Sequence, residues 1–169
     1  RKLSRTGHTS WTLTAMNNAV LLDGPYLSVN ATATTLTPSA ATGTGVTLTA
    51  SAITGINGGA GFAATDVGRL IRIKEGSTWG YVIITAWTST TVVTVDVINT
   101  LTNTNAKKFW RMGLYSNTTG YPACVGFYED RLAFAGCPAT PARVDLSRTG
   151  DYENFAQTDT DGVVTDSHA

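Results

Sequence analysis

The sequence has little charge, few cysteines and few histidines, and each shortage excludes a class of protein. Only 14% of its 169 residues are charged, against about 25% in ordinary globular proteins, and the formal net charge is zero. A protein that holds nucleic acid by neutralising phosphates needs an excess of lysine and arginine. We therefore expect no such binding, although passive contact with DNA is compatible with this charge. The basic cluster of Arg1, Lys2 and Arg5 is interpreted as a solvated terminal strand.

Long apolar runs and helical periodicity are also missing. No stretch reaches the roughly 18 consecutive apolar residues of a membrane-spanning helix, and no secretory signal peptide is recognisable. The sequence starts at Arg1 inside an alternation of polar and apolar residues, and its last residues resemble the approach to another strand. We therefore expect a segment of a longer protein, without a membrane span.

Threonine and glycine take the place of the missing charges, with 30 threonines and 17 glycines. Threonine is stiff at its β-carbon and suits pleated strands, and glycine suits turns and bulges. Alternation with a period of two residues predicts a series of short strands. Together these features predict an all-β protein. The expected strands are Val46–Ile53, Arg69–Lys74, Tyr81–Trp87, Thr91–Val97 and Lys108–Met112.

The spacing of these strands predicts the domain organisation. Turns at Glu75–Ser77 and Thr88–Thr90 join short strands in the manner of a meander or small barrel. We expect residues 31–112 to form an inserted small antiparallel β-barrel or sandwich, with 1–30 and 113–169 adding strands to a larger β unit. The expected core of the insertion is Leu70, Ile71, Ile73, Val82, Ile84, Val93 and Val95.

A β-hairpin is predicted over residues 121–137. If Glu129 and Asp130 form a two-residue turn, Tyr128 pairs with Arg131. Alternation along both strands then places four apolar side chains on one face. These side chains are Val125, Phe127, Leu132 and Phe134.

The same register bears on the two cysteines. Cys124 opposes Ala135 and Cys137 opposes Pro122, so the cysteines are diagonal neighbours, too far apart for a relaxed disulfide. We expect two buried or half-buried free thiols, typical of a reducing compartment.

Further along, the segment Arg143–Phe155 contains a second turn signal. Gly150 is expected to turn the chain, and Asp151 to cap a helical turn that carries Tyr152 and Phe155 inward.

Residues able to do chemistry are scattered. His8 and His168 lie near opposite ends, so a histidine-based triad would need both ends to meet a central nucleophile. Adjacent residues on a strand point in opposite directions, so Glu129 and Asp130 are interpreted as a hydrophilic turn and not as a carboxylate pair. Asp151 and Glu153, which stand beside aromatic residues, are interpreted as part of a capped turn.

Metal and phosphate motifs are incomplete. Cys124 and Cys137 lack the paired spacing of a zinc site, and Asp159–Gly162 lacks the bidentate glutamate of a calcium loop. The glycine-rich Ile56–Gly61 lacks the lysine and helix of a phosphate-binding loop. We therefore predict no catalytic, cofactor-binding or metal site, and a protein that is not an enzyme.

Several motifs nevertheless occur together and in order. They are RT.HT.WTL at Arg5–Leu13, DGPY at Asp23–Tyr26, F...DVGRLIRI at Phe62–Ile73, GYP..V.F...RL.FAG.P..P at Gly120–Pro141 and SRTGDYENF at Ser147–Phe155. As an ordered set, the chain resembles the tail tubular protein B family, the nozzle proteins of short-tailed bacteriophages and prophages. The central module is also similar to small β domains found more widely in phage tails.

This resemblance implies a structural protein of the virion tail, assembled in the cytoplasm of the bacterial host. Members form a hexameric ring below the adaptor ring of tail tubular protein A, near the tail fibres, and genomic DNA leaves through the lumen without sequence-specific binding. Their fold is β-rich, with a propeller-like part and smaller inserted β domains.

Two other functions remain open. A carbohydrate- or receptor-binding tail module would use exposed aromatic residues such as Trp79 and Tyr152, although Trp79 and Trp87 are more simply interpreted as covers for one end of the small barrel. A tail-associated polysaccharide hydrolase is the other alternative.

Overall fold

The computed structural model describes residues 24–27, 34–159, 161, 163 and 165–166. The expectations for Arg1, Lys2, Arg5, His8 and His168 lie outside these residues. So does the first resemblance motif, Arg5–Leu13, together with most of the predicted strands of 1–30.

The described residues form an all-β fold, which confirms the predicted class. Six antiparallel strands, in the order β1-β2-β5-β4-β3-β6, make a strongly curled half-barrel, and β7-β8-β9 make a second, three-stranded antiparallel sheet. The strands are β1 (Leu36–Pro38), β2 (Val46–Ala50), β3 (Leu70–Glu75), β4 (Thr78–Ser89), β5 (Val92–Asn99), β6 (Phe109–Met112), β7 (Cys124–Tyr128), β8 (Arg131–Cys137) and β9 (Thr140–Leu146).

The curl brings the two edges of the larger sheet together. Leu36 of β1 forms an antiparallel bridge with Lys107, just before β6, through hydrogen bonds of 2.9 and 2.8 Å. The Lys107 ammonium is buried and contacts Glu75 and Asn103. Burial lowers the pKa of Lys107. The larger sheet is therefore tied across its opening by backbone and side chain together.

Alternation along the strands fills the half-barrel. In β2, Val46, Leu48 and Ala50 are buried between exposed threonines, and a fully buried aliphatic side chain contributes about 1.5–3 kcal/mol. Six of the predicted core residues lie together in this core: Ile71, Ile73, Val82, Ile84, Val93 and Val95. Leu70 is also buried, but in a separate cluster with Tyr26 and Ala156, so its assignment to this core is wrong.

The predicted strand bounds hold with small corrections. The strand expected over Val46–Ile53 ends at Ala50, because the chain then turns and the Ile56 amide donates to the Ile53 carbonyl. The last predicted strand begins at Phe109, pairs with β3, and is followed by a bridge from Gly113 to Tyr26.

A buried ion pair fixes the entry into β3. The Asp66 carboxylate, fully buried, accepts hydrogen bonds from Asn57 Nδ2 at 2.6 Å, the Ala63 amide at 2.9 Å, Arg69 Nη1 at 2.9 Å and Thr118 Oγ1 at 2.7 Å. The first two of these bonds hold the turn before β3, and the last reaches the chain beyond β6. Asp66 therefore joins segments that lie far apart in sequence.

Arg69 completes this connection from the other side of the carboxylate. Its guanidinium is 1% exposed, with Nε donating to the Gly113 carbonyl at 2.7 Å and Nη1 to Asn57 Oδ1 at 2.7 Å. Burial lowers the pKa of Arg69, and the Asp66 carboxylate opposes that shift. Between the two, Gly68 has a φ of 90°, a conformation that favours glycine.

The hairpin forms with the predicted register. Glu129 and Asp130 have φ angles of 46° and 59°, as a two-residue type I′ turn requires, and Tyr128 pairs with Arg131. The apolar stripe is only partly buried: Leu132 and Phe134 are in the core, Val125 is half-buried and Phe127 is 64% exposed. The four apolar side chains share one face, as the predicted register requires, but Phe127, beside the turn, stays largely exposed.

The segment after β9 packs onto this hairpin. Phe155 is buried and stacks on Phe134, with ring centroids 5.1 Å apart. Tyr152 is 40% exposed, so its predicted inward position is wrong. Residues 151–154 form a single turn, in which the Asn154 amide donates to the Asp151 carbonyl at 3.3 Å. The Asp151 carboxylate accepts a 3.4 Å hydrogen bond from the Glu153 amide, and Asp151 also forms a bridge with Arg148. The expected capped turn therefore forms, although it does not extend into a helix.

Candidate interaction surface

The carboxylates weighed as catalytic candidates lie on the surface near the hairpin turn. Glu129 and Asp130 are exposed, as are Asp151 and Glu153. The Asp130 carboxylate accepts a short hydrogen bond from the Tyr152 hydroxyl, and this bond raises the pKa of Tyr152. Asp130 therefore serves to hold Tyr152 beside the turn.

Among the residues that the structure describes, no three His, Cys, Asp or Glu side chains come together in a way that could hold a metal ion. In the glycine-rich Ile56–Gly61, a β-carbon on Gly61 would meet the Thr90 carbonyl oxygen at 2.5 Å. Close packing against the turn between β4 and β5 thus explains one glycine of that stretch.

The two tryptophans considered as sugar-binding residues occupy different environments. Trp79 is 5% exposed and lies under three cations, with Arg72, Arg111 and Lys74 at 5.0, 5.2 and 5.5 Å from its ring. A ring covered in this way offers no open face on which a sugar could stack. Trp87 is 43% exposed, and its Nε1 donates to the Phe62 carbonyl at 2.9 Å.

A buried polar contact holds β9 in place. Asp145, 2% exposed, accepts hydrogen bonds from the Tyr115 hydroxyl at 3.0 Å and from Arg143 Nε at 2.7 Å. Burial is the main reason that the pKa of Tyr115 lies well above its usual range, and the negative charge of Asp145 is the second. Tyr115 thus stays a hydrogen-bond donor and ties β9 to the chain beyond β6.

Aromatic side chains are exposed on both faces of β7. Phe127 is 64% and Tyr128 60% exposed, and neighbours on a strand point to opposite faces. Phe127 meets Tyr152 edge to face, with centroids 5.4 Å apart, and Tyr121 is exposed just before the strand. Tyrosine and phenylalanine are enriched in the cores of protein interfaces, so β7 is the candidate interaction surface.

The edges of the smaller sheet are open within the described chain, where β7 and β9 each have one partner strand. Edge strands usually carry protection in the form of lysine, proline, a bulge or very short length. β9 carries Pro141 and Arg143 and pairs with β8 through a register shift, whereas β7 (CVGFY) has five regularly paired residues with neither charge nor proline. β7 is therefore an unprotected edge.

The two cysteines, Cys124 at the start of β7 and Cys137 at the end of β8, differ in exposure. They form no disulfide, and Cys124 pairs with Ala135 as predicted. Cys137 is buried at 2% exposure, with its thiol directed at the Thr119 carbonyl. Cys124 is exposed, so the expectation of two buried or half-buried thiols is wrong for this residue, which lies on the open edge.

This difference predicts unequal thiol reactivity. With an excess of a thiol-specific reagent under native conditions, Cys124 should react within the mixing phase and Cys137 only at the rate of opening or unfolding, because attack requires an accessible sulfur. Absorbance at completion should correspond to one thiol per chain without denaturant and two with it. The variant C124S should lose the fast phase, and two fast thiols in the native protein would contradict the assignment.

Comparison with known proteins identifies no family for this chain. No protein-family model matches the chain, and no curated protein matches it significantly. In the part of the chain that the structure describes, no helix is long and apolar enough to cross a membrane.

Proposed function

We propose that this chain is a structural protein of a bacteriophage tail and forms part of a hexameric nozzle through which DNA is ejected. The unprotected aromatic edge at β7 carries the proposal, because a strand of this kind needs a protein partner. The resemblance of its ordered motifs to the tail tubular protein B family supplies the biological context. Two of them, Gly120–Pro141 and Ser147–Phe155, form one packing unit through Phe134 and Phe155.

A nozzle has a mechanical task, and the contacts of this chain suit it. Subunits related by rotation need two different complementary surfaces that close into a ring, and the smaller sheet has two different edges. The hydrogen bonds from the buried Asp66 and Arg69 to Thr118 and Gly113, and the Leu36–Lys107 bridge, join distant segments of the chain. A net charge of zero would let DNA pass without being retained.

The proposed role in a tail nozzle also implies a place of assembly and a set of partners. Assembly in the cytoplasm of a bacterial host agrees with two free thiols, since disulfides are rare in reducing compartments. The proposed partners are five further copies of the chain, an adaptor ring of tail tubular protein A, and tail fibres. DNA would pass through the lumen without sequence-specific contacts and without chemistry on the protein's part.

Native mass spectrometry of the chain over a range of concentrations tests this proposal, with negative-stain electron microscopy of the largest species. We expect the population to move with concentration towards a hexamer that images as a ring, because closed heterologous contacts favour the complete ring. A chain that stays monomeric at every concentration, or stops at a dimer, would contradict the hexameric nozzle.

A carbohydrate-binding tail module remains the second candidate, because Tyr152 and Phe127 present exposed rings beside Asp130 and Asp151. Saturable binding on a glycan array by a chain that remains monomeric, lost in Y152A and retained in W79A, would favour it. Turnover of capsular polysaccharide would instead favour the hydrolase alternative.

A further inference from the structure

We propose that neighbouring copies join by pairing β9 of one copy with β7 of the next, in parallel, so that the smaller sheet continues around the ring. This inference rests on the proposed function and assigns the contact between subunits. The occupant of the open edge at β7 is therefore a second copy of this chain.

The backbone groups needed for such pairing face outward on β7. In a hairpin with a two-residue loop, the residues flanking the turn, Tyr128 and Arg131, form a hydrogen-bonded pair. Hydrogen-bonded and non-hydrogen-bonded pairs alternate in an antiparallel ladder. The amides and carbonyls of Val125 and Phe127 therefore point away from β8, towards the open edge.

The same reasoning applies to β9. The Ser147 amide donates to the Leu132 carbonyl at 2.9 Å, so alternate residues of β9 direct their backbone groups away from β8. These residues are Val144 and Leu146. Pro141, which lacks an amide hydrogen, precedes them and leaves their two donors intact.

The strand directions determine how the edges meet. β7 and β9 are each antiparallel to β8 and hence parallel to each other. A copy rotated about an axis along the strands presents its β7 to β9 in the same direction, so the new pair is parallel. The strands have five and seven residues, so β9 spans the full length of β7.

Charge complementarity selects a second copy over an unrelated strand. Glu129 directly follows β7 and Arg148 lies two residues beyond β9, so parallel pairing brings both to the same end of the contact. Glu129 is exposed and Arg148 half-buried, and neither takes part in the ion pairs of the described chain. Opposite charges at the rim of an interface favour the correct register.

Disulfide trapping tests the pairing directly. The natural Cys124 stands at the start of β7. The variant A142C adds a second cysteine at an exposed position near the start of β9. Within one copy these positions are separated by β8, about 10 Å apart and beyond disulfide reach. Mild oxidation followed by a non-reducing gel should give covalent multimers that end at a cyclic hexamer.

Matched controls identify the bond that forms. The variant A142C/C124S should give no multimer ladder, and T47C, which places an exposed cysteine on the interior strand β2 instead, should give none either. Oxidised wild-type protein that accumulates a Cys124–Cys124 dimer and no higher species would indicate a two-fold β7–β7 contact and would overturn the inference.

A second measurement uses a substitution that the monomer tolerates. A β-carbon on Gly126 meets no atom within 4 Å, so G126K adds a charge to the edge without displacing a neighbour. We expect self-association to weaken roughly tenfold or more, with T47K unaffected. If wild-type and G126K form equally stable rings and A142C gives no ladder, the edge pairing is wrong while the nozzle proposal stands. If native mass spectrometry finds no ring at all, both are wrong.

Discussion

Replacing Asp66 with alanine is expected to lower the free energy of unfolding by about 3–5 kcal/mol, the cost of breaking a buried ion pair from one side. The substitution leaves Arg69 buried at 1% exposure without its carboxylate partner. It also removes acceptors for the Ala63 amide and for Thr118 Oγ1, at 2.9 and 2.7 Å. Denaturant titration followed by tryptophan fluorescence measures the loss.

Removing Arg69 together with Asp66 tests whether the loss in D66A comes from the unpaired arginine. In the double variant D66L/R69M both charges are removed, and an apolar pair of similar volume often restores stability. We therefore expect it to be more stable than D66A, although Asn57 and the Gly113 carbonyl still lose hydrogen bonds to Arg69. E153A, at an exposed site, should change stability by less than about 0.5 kcal/mol. A loss below about 1 kcal/mol in D66A would show that the network contributes little.

The variant F155A is expected to lower the free energy of unfolding by about 3–5 kcal/mol, the usual cost of deleting a buried aromatic ring. Phe155 is 3% exposed and stacks on Phe134, and it lies in one cluster with Leu132. Its ring holds the segment after β9 against the hairpin. Because the smaller sheet has only three strands, it depends on this packing for its order.

Hydrogen exchange locates the effect within the molecule. In F155A, amides of β7 and β8 should exchange faster, whereas those of β4 and β5 in the larger sheet should change less, because their core lies in a separate cluster. Y152A is the matched control: its ring is 40% exposed, so its loss should be well below that of F155A. Equal losses in the two variants would contradict the assignment of Phe155 as the anchor.

Local rules account for what could be predicted from the residues alone. Alternation in VTLTA and along β3–β5 places all the expected core residues except Leu70 on the inner face of the larger sheet, where they are buried. The hairpin register followed from the turn, because two residues with positive φ at Glu129 and Asp130 leave only one pairing of the flanking strands. The absence of a disulfide followed from that register.

Alternation failed where a tertiary contact reversed the usual preference. Strand β9 was missed because Asp145 is buried while Val144 is exposed, the opposite of a hydrophobic pattern. Asp145 is tolerated inside because Tyr115, thirty residues earlier in the chain, and Arg143 satisfy its oxygens. Trp79 lies under three cations from two strands, Arg72 and Lys74 of β3 and Arg111 of β6, an environment that the sequence pattern did not indicate.

The residues by themselves determined the class of fold, the larger core and the hairpin register, because each depends on neighbours two to a few residues apart. Tertiary structure alone decided which carboxylates are buried, which thiol is exposed and which strands lie at the sheet edges. Asp66 acquires its role from Thr118 and from Arg69 anchored on Gly113. Phe127 stays largely exposed because Tyr152 touches its ring only edge to face, whereas Phe155 stacks on Phe134. Such contacts join positions dozens of residues apart, and no short pattern encodes them.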